Sequence, residues 1–442
     1  MLKKESVHTQ LNFLSPTLKE QLNPSHGLYK LSHQIDWGVF ESLFGKYYSA
    51  VGRPAKPIRL MVSLLILKQV ENLSDEVLVL KWSENPYYQY FGGVLHFQWE
   101  APCDASDLVH FRNRIGTDGI EQIFKMSVSI QGKDAQEDKL SIDSTAQEKN
   151  ITYPTDVKLQ VRIIEKCRKI AKLQGVDLRQ SYLRTVKEHL INQRFRQHPK
   201  NKKKALSSAR KIKTIAWRLV RELERKLANG AYRVDLDLFK RVLNQQKEDK
   251  NKIYSLHELE VACIAKGKEH KKFEFGSKVS IAITRTTNVI VSVVTFKGNP
   301  HDSKTLEQTL ECYQRIVGKQ AKEVAVDRGY RGKTMVGDTK IYAPTKPKAS
   351  DSDYQKRVQR KRFRRRAAIE PIIGHTKADH RMARCFLKGF KGDERNAIMA
   401  AAGFNFKRWI RKAISWLNFY LLLIVQYSKI TEQNRCPNLV LL

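Results

Sequence analysis

The order of its strand-like segments constrains the fold of this chain more than any other feature. The apolar run KLSIDST contains an acid, and a long stretch with helical periodicity separates it from the strand-like runs KFEFGSKVSIAIT and NVIVSVVTFKGNP. Only a short polar turn joins those two runs, which indicates an antiparallel pair. A helix-like segment (HDSKTLEQTLECYQRIVG), the strand EVAVD, a glycine-containing loop, the strand KIYAPT and a final helix complete the order.

This order predicts an α/β fold of the ribonuclease-H-like type, with a helical insertion after its first strand. The first three strands are expected to be antiparallel neighbours, and the later strands need crossover helices to join the sheet. At 442 residues the chain is too long for one small core, so we expect two or three domains. We expect an all-α N-terminal domain at 1–130, an α/β domain at 138–412 interrupted at about 158–255, and a C-terminal helix and tail at 413–442.

The charge of the chain points to a polyanionic partner. Lys and Arg number 81 against 45 Asp and Glu, which leaves a net charge of +36. Because the excess is spread over the whole chain, it favours nucleic acid over a membrane. The apolar run at 414–427 is shorter than the roughly 20 residues that span a bilayer, so it predicts a buried helix.

Cysteine spacing and the first residues indicate the compartment. The six cysteines lie far apart and form no CxxC pair, which argues against a zinc site or a disulfide framework and favours a reducing cytoplasm. The first ten residues, MLKKESVHTQ, have no apolar segment behind their lysines, so we expect no secretory signal.

The N-terminal region predicts three helices with a tight break between the first two. Residues 58–70 are apolar, Ser74 is a plausible N-cap of the next helix, and Asp104 or Ser106 caps a third, basic helix. Two interpretations stay open: a helix-turn-helix-like DNA-binding module, or a helical bundle that only packs.

The helical insertion has one apolar and one basic face. Its apolar residues recur at spacings of three and four: Ala205, Ala209, Ile212, Ala216, Leu219, Leu223 and Leu227. The opposite face carries a basic run that begins at Lys202, Lys203 and Lys204. Such a face is either solvated or contacts phosphates.

Three acids stand out as candidate metal ligands. Asp143 and Asp327 lie at predicted strand ends, and Glu370 lies beside apolar residues within an Arg-rich segment. In the predicted fold the two strands are neighbours and Glu370 faces them from a later helix. Three converging carboxylates repel one another unless cations neutralise them, and hard oxygen ligands favour Mg²⁺ or Mn²⁺. Taken singly, Asp143 and Asp327 are more readily explained as turn residues, and Glu370 as an ion-paired helix acid; the joint pattern is what favours a site.

The segment around Glu370 places basic side chains near that acid. Phe363, Arg366, Glu370 and Lys377 fall on one helical stripe, unless Pro371 starts a new helix that Glu370 caps. The candidate DNA contacts are Arg366, Lys377, Arg328, Arg381, Lys202, Lys203, Lys204, Arg112 and Arg114.

These residues resemble a known family. Phe363-x2-Arg366-x3-Glu370-x6-Lys377 is similar to the Tyr-Arg-Glu-Lys signature of bacterial insertion-sequence transposases of the four and five groups, with Phe363 in place of Tyr. DSTAQEKNITYPTD, FEFGSKVSI, GNPHDSKTL, VDRGYRG and GRPAKPIRLMVSLLILKQ also resemble that family, so the likeness extends from Gly52 to about Lys412.

The resemblance implies a DDE transposase, of the insertion sequence five type, with Asp143, Asp327 and Glu370 as its metal-binding triad. It implies binding to terminal inverted repeats and target DNA, Mg²⁺ (or Mn²⁺) as cofactor, strand cleavage followed by strand transfer, and a homodimer on DNA. The alternatives are a transposase-derived DNA-binding protein without catalysis and a ribonuclease-H-like nuclease without strand transfer.

Overall fold

The fold is described from a computed structural model. It covers residues 16–49, 51, 54–227, 230, 232–265, 272–345 and 350–433, with side chains up to 414. The expectations for the first ten residues, the tail beyond 433 and the burial of the run at 414–427 therefore fall outside the described part. Within that part, no helix is both long enough and apolar enough to cross a bilayer.

The N-terminal region is helical, as predicted. Its helices are α1 (Leu18–Gln21), α2 (Gly27–Gln34), α3 (Trp37–Gly45), α4 (Ile58–Val70), α5 (Asp75–Glu84), α6 (Pro86–Phe91) and α7 (Ala105–Ser129). The predicted starts of two helices are confirmed, because the Ser74 side chain accepts from the Val77 amide and Asp104 forms a capping box with Asp107. Helix α7 is broken at Gly116, whose φ of +68° is readily adopted only by glycine.

Helix α4 is almost completely buried. Leu64, Ile66 and Leu67 have no exposed surface, and neighbouring side chains come from α3, α5, α6 and α7. A helix covered on all sides has no free face for a DNA groove, so a recognition helix in this region would have to be one with an exposed face.

The insertion after the first strand is also helical. It contains α8 (Asp156–Leu173), α9 (Leu183–Ile191), α10 (Pro199–Lys226) and α11 (Arg233–Asn244). The predicted apolar stripe of α10 is buried, with Ile212, Ala216 and Leu219 inaccessible to solvent. Together with Ile163 of α8 and Phe239 of α11, these residues form a core of their own.

The chain also contains a mixed sheet, as predicted for an α/β fold. Its strands are β1 (Lys139–Lys149), β2 (Ala262–Ala265), β3 (Phe273–Thr284), β4 (Ile290–Phe296), β5 (Glu323–Ala325), β6 (Met335–Val336), β7 (Thr339–Tyr342) and β8 (Arg384–Cys385). The order is β2-β3-β1-β5-β7-β6, with β4 paired to β3 and β8 to β1. β3 and β4 are antiparallel, as expected, whereas β1, β5 and β7 run parallel.

Four helices follow or separate the later strands: α12 (Leu306–Val317), α13 (Asp353–Arg366), α14 (Ile369–Asp379) and α15 (Gly389–Gln433). Helix α15 packs against α2, α4, α7 and β4. Gly403 makes the contact with α4 possible, because a Cβ there would lie 2.8 Å from the Gln69 Cβ.

The chain divides into two compact units. One contains residues 1–148 and 278–442, and the other contains residues 149–277. The N-terminal helices and the sheet share one hydrophobic core within the first unit. The N-terminal helices α1 to α7 therefore lie in the same compact unit as the part of the sheet within this unit.

Candidate active site

Two strands of the sheet bring the first two candidate acids together. β1 and β5 pair in parallel, with Ser141 opposite Ala325. Asp143 and Asp327 each lie two residues beyond this pair in the common strand direction. Asp327 follows the end of β5, as predicted, whereas β1 continues to Lys149, so the predicted strand-end position of Asp143 is wrong. Parallel neighbours lie about 4.8 Å apart, so this register sets the two aspartates side by side although roughly 180 residues separate them in the chain.

Asp143 is largely buried and holds two close contacts. Its Oδ1 accepts from the Ser144 amide at 2.8 Å, and its Oδ2 accepts from Arg366 Nη2 at 2.9 Å. Burial raises the pKa of Asp143 to about 6, although the Arg366 charge and the Ser144 amide oppose the rise. The negative charges of Asp327 and Glu370 raise this pKa further, so the three acids interact electrostatically.

Glu370 and Arg366 come from two helices instead of one. α13 ends at Arg366, and α14 starts at Ile369 with Ala368 as its N-cap. The predicted single stripe through Phe363, Arg366, Glu370 and Lys377 is therefore divided, as Pro371 suggested. Glu370 lies within the first turn of α14, so the idea that it caps a helix starting at Pro371 is wrong by about two residues.

Arg366 links the two parts of the site. Its Nη1 lies 3.7 Å from Glu370 Oε1, while its Nη2 contacts Asp143. The Glu370 side chain is 66% exposed, compared with 17% for Asp143. Arg366 thus offsets part of the repulsion between a buried acid and an exposed one.

The turn after Asp327 is tightly packed. Asp327 caps the 3-10 turn Arg328–Tyr330 by accepting from the Gly329 amide at 2.8 Å. A Cβ at Gly329 would lie 2.9 Å from Asp302 Oδ2 and 3.1 Å from Asp327 Oδ1. A larger residue at this position would force one of these two carboxylates to shift.

A fourth acid, Asp302, was not predicted as a site residue. Its Oδ1 accepts from the Ser144 hydroxyl at 2.6 Å and pairs with Lys278 Nζ at 2.5 Å. Asp302 precedes α12 but does not cap it, because Thr305 is the N-cap of that helix. The available signal was the segment GNPHDSKTL, which resembles the family without indicating what Asp302 contacts.

The donor set suits a hard divalent cation, but its carboxylates are not gathered around one point. Among the described residues, no three His, Cys, Asp or Glu side chains are grouped closely enough to hold a metal ion. The oxygen donors of Asp143, Asp327 and Glu370 nevertheless fit Mg²⁺ or Mn²⁺ in type, and their mutual repulsion favours a bound cation. One of these oxygens, Asp143 Oδ2, accepts from Arg366 Nη2.

The predicted DNA contacts near the acids differ in their surroundings. Arg328 is exposed directly after Asp327, and Lys377 is half-buried on α14. Arg381 donates to the Asn72 carbonyl at 3.2 Å and lies 5.8 Å from the Phe386 ring.

The remaining predicted contacts lie on the two helical regions. Lys202, Lys203 and Lys204 are exposed on α10, and Arg114 is exposed on α7, where it covers the Tyr48 ring. Arg112 is only 5% exposed, and both of its terminal nitrogens bind Asp75, at 2.9 and 2.7 Å. A guanidinium buried in this way is committed to an internal ion pair and is not available to a DNA phosphate, contrary to the prediction.

Comparison with known proteins gives matches in two regions of the chain. Residues 16–114 match the family described as Transposase domain (DUF772), and residues 245–406 match the family described as Transposase DDE domain. The second match includes Asp327 and Glu370 and begins after Asp143.

One curated relative matches part of the chain. The chain is 42% identical over 182 residues to a Rhizobium meliloti protein described as uncharacterized protein ORF8 in the nfe locus. The match covers 40% of this chain and 88% of that protein. No solved structure gives a significant match. With a transposase domain near its start and a transposase DDE domain across its C-terminal half, the chain belongs to the DDE transposases of insertion-sequence elements.

Proposed function

We propose that this chain is a transposase of the insertion sequence four/five superfamily, of the five type. It binds the terminal inverted repeats of its element, cleaves DNA strands with the help of divalent metal ions, and joins the freed ends to target DNA. One observation carries the proposal: the parallel register of β1 and β5 sets Asp143 beside Asp327. In agreement with this, the charges of Asp327 and Glu370 raise the pKa of Asp143.

The strand arrangement supports a ribonuclease-H-like catalytic domain. β4, β3, β1, β5 and β7 are neighbours in that order, and β1 lies in the middle with Asp143 on it. We propose that residues 138–412 form this domain, that the helical segment at about 158–255 is its insertion, and that residues 1–130 bind DNA.

Asp143, Asp327 and Glu370 are the residues that would hold Mg²⁺, or Mn²⁺ as a substitute. Divalent ions held by carboxylates activate a water or a 3′-hydroxyl and stabilise the leaving oxygen of an in-line phosphoryl displacement. Arg366 then has a second role, because the guanidinium that leaves Asp143 can bind a DNA phosphate in bidentate fashion.

Basic residues around the site supply the other DNA contacts in this proposal. Arg328 and Lys377 lie closest in sequence to the acids, whereas Lys202, Lys203, Lys204 and Arg114 are exposed on helices. The net charge of +36 supports a large electrostatic contribution to binding. We propose that two copies assemble on DNA, since two ends must be joined, and that the protein acts on the bacterial nucleoid.

The test uses amide variants that keep the shape of each acid. Asp143→Asn, Asp327→Asn and Glu370→Gln should each lower strand cleavage by at least roughly 10²–10³-fold, the scale of losing one preorganised electrostatic group. The substrate is duplex DNA ending in the inverted repeat read from the sequence that flanks the gene. Band-shift affinity for this duplex should change little, because an amide introduces no new charge to repel phosphate.

Asp353→Asn is the matched control, since this acid is 96% exposed at the start of α13. It should cleave at the wild-type rate. Cleavage at the wild-type rate in a triad variant would remove that residue from the site. Binding of the wild-type protein without Mg²⁺- or Mn²⁺-dependent nicking would favour the non-catalytic alternative, and nicked products without joined products would favour the nuclease.

A further inference from the structure

The helical unit at 149–277 contains a cavity of about 710 Å³ whose walls are aromatic and basic. Phe273 and Phe275 point to it from β3, on the same side as Cys263 of β2. The cavity also borders Leu159 of α8 and Leu243 of α11. Its volume falls in the range of about 300–1,000 Å³ that is common for ligand sites.

Four of the five basic residues that line this cavity pair with no acid among the described residues. Arg196, Arg210, Lys213 and Lys247 line the cavity, and none of them forms a side-chain hydrogen bond or an ion pair with the residues that the structure describes. A fifth cation, Lys252, lies 3.5 Å from Asp156, the one acid in the lining. Four cations without a counter-charge around one concave surface favour an anion with several charges.

The aromatic wall gives a platform for flat ligands. The Phe275 ring lies 5.2 Å from both the Tyr153 and the Tyr254 rings, which fixes its position. Phe273 and Tyr153 are 43% and 58% exposed. Exposed rings beside free cations are the combination that binds single-stranded nucleic acid, with bases stacked on rings and phosphates on cations.

We propose that this cavity binds a single-stranded segment of DNA. The proposal rests on the function proposed above, because strand cleavage at an element end is the step that frees an unpaired strand. Arg210 and Lys213, three residues apart on α10, contact successive phosphates, and Phe273 stacks on a base.

Binding is measured on the full chain by fluorescence anisotropy with two labelled twelve-residue oligomers of equal charge. One is oligothymidine, and the other consists of abasic residues. Oligothymidine should bind about tenfold tighter, because stacking on a ring adds to the phosphate contacts. Phe273→Ala should abolish this preference. The double variant Arg210→Gln/Lys213→Gln should weaken both oligomers and lower the salt slope by roughly 1.4, about 0.7 for each phosphate contact.

The matched control is Arg218→Gln/Arg221→Gln, which removes two exposed charges with the same spacing from the same helix outside this cavity. It should leave the preference for oligothymidine intact. Equal affinity of the wild-type protein for the two oligomers, or a preference that survives Phe273→Ala, overturns the proposal. Binding of thymidine monophosphate as tight as that of the oligomer would also overturn it, since a free nucleotide would then be the ligand. None of these readouts needs Asp143, so they stand apart from the cleavage test.

A different observation carries a second inference, at the other unit. Asp302 connects the two aspartates. Ser144 donates its hydroxyl to Asp302 and its amide to Asp143, and Asp302 Oδ2 faces Gly329, whose amide donates to Asp327. Lys278, with its side chain 10% exposed, fixes Asp302 in this place. We infer that Asp302 is a positioning residue that sets the spacing of Asp143 and Asp327.

Asp302→Asn should lower the affinity for Mn²⁺ by about 10–100-fold, the usual effect of losing a residue that orients metal ligands. Electron paramagnetic resonance on the protein without DNA measures this affinity. Ser144→Ala should lower it in the same direction while keeping all the acids. Both variants should keep the affinity for duplex DNA. Unchanged Mn²⁺ affinity in Ser144→Ala and Asp302→Asn overturns the inference. The folding control is the thermal unfolding midpoint: a value equal to that of wild type shows that a lower affinity does not result from loss of the fold.

Discussion

Arg366 and Asp143 show how strongly single contacts determine the candidate site. Asp143 is buried with a carboxyl pKa of about 6, so its charge is costly unless a cation faces it. Arg366 is that cation in the structure, at 2.9 Å. A residue chosen from the sequence as a phosphate contact is thus also the partner of a candidate metal ligand.

His380 gives a prediction at the residue scale. It is 3% exposed and its Nδ1 donates to the Gln69 carbonyl, and burial lowers its pKa below the usual value. Because the unfolded chain binds a proton at higher pH than the folded one, stability is present above about pH 6.5 and falls as pH decreases below it. The slope contributed by one group is at most about 1.4 kcal/mol per pH unit.

Urea denaturation between pH 5 and pH 8, where the unfolded-state pKa of about 6.5 lies, measures this slope. His380→Gln should show a shallower loss of unfolding free energy toward low pH than the wild-type protein. His110→Gln, at an exposed position on α7, should keep the wild-type slope. Equal slopes for the His380 variant and wild type would contradict the assignment.

At the scale of elements, helix ends decide where the candidate residues lie. The break between α13 and α14 puts Arg366 and Glu370 on different helices, and the 3-10 turn Asp302–Lys304 delays α12, so that Asp302 faces Ser144 instead of capping. In the N-terminal region an ion-pair cluster connects three helices. Asp75 of α5 binds both Lys68 of α4 and Arg112 of α7.

Asp75→Asn should destabilise the protein by about 3–5 kcal/mol, the cost of leaving buried charges without a partner. Burial and the Arg112 charge lower the pKa of Lys68 to about 8, and Asp75 is the acid that opposes this shift. Chemical denaturation measures the change. Glu84→Gln, exposed on the same helix, should stay within about 0.5 kcal/mol of wild type. A cost below about 1 kcal/mol for Asp75→Asn would show that solvent reaches the cluster.

At the scale of the whole molecule, the chain contains two hydrophobic cores. Ile212 belongs to the core of residues 149–277, and Ile281 belongs to the core that joins the N-terminal helices to the sheet. Both side chains are completely buried. Two cores allow one unit to lose structure while the other keeps it.

Ile212→Ala should lower the opening free energy of amides in 149–277 by about 2–5 kcal/mol and leave amides of β4 and β5 unchanged. Ile281→Ala should do the reverse. Hydrogen exchange followed by mass spectrometry measures both. If each variant lowers protection throughout the chain, the two cores unfold as one cooperative body and the prediction is wrong.

The sequence by itself determined the elements and the chemistry. Apolar periodicity predicted α10, strand-like runs predicted β1, β3, β4 and β5, and Ser74 and Asp104 predicted helix starts, because these signals are local and depend on a few neighbouring residues. Charge and motif resemblance pointed to a DNA-acting enzyme of the family that the comparisons support.

Only the tertiary structure decided which polar groups meet. Asp302 with Ser144, Arg366 with Asp143, and Arg112 with Asp75 are contacts between residues 37 to 223 positions apart. The same holds for the shared core of the N-terminal helices and the sheet. A charged side chain has the same local sequence signal whether it is buried in an ion pair or exposed to a phosphate. Its role depends on burial and on the partner that packing brings to it.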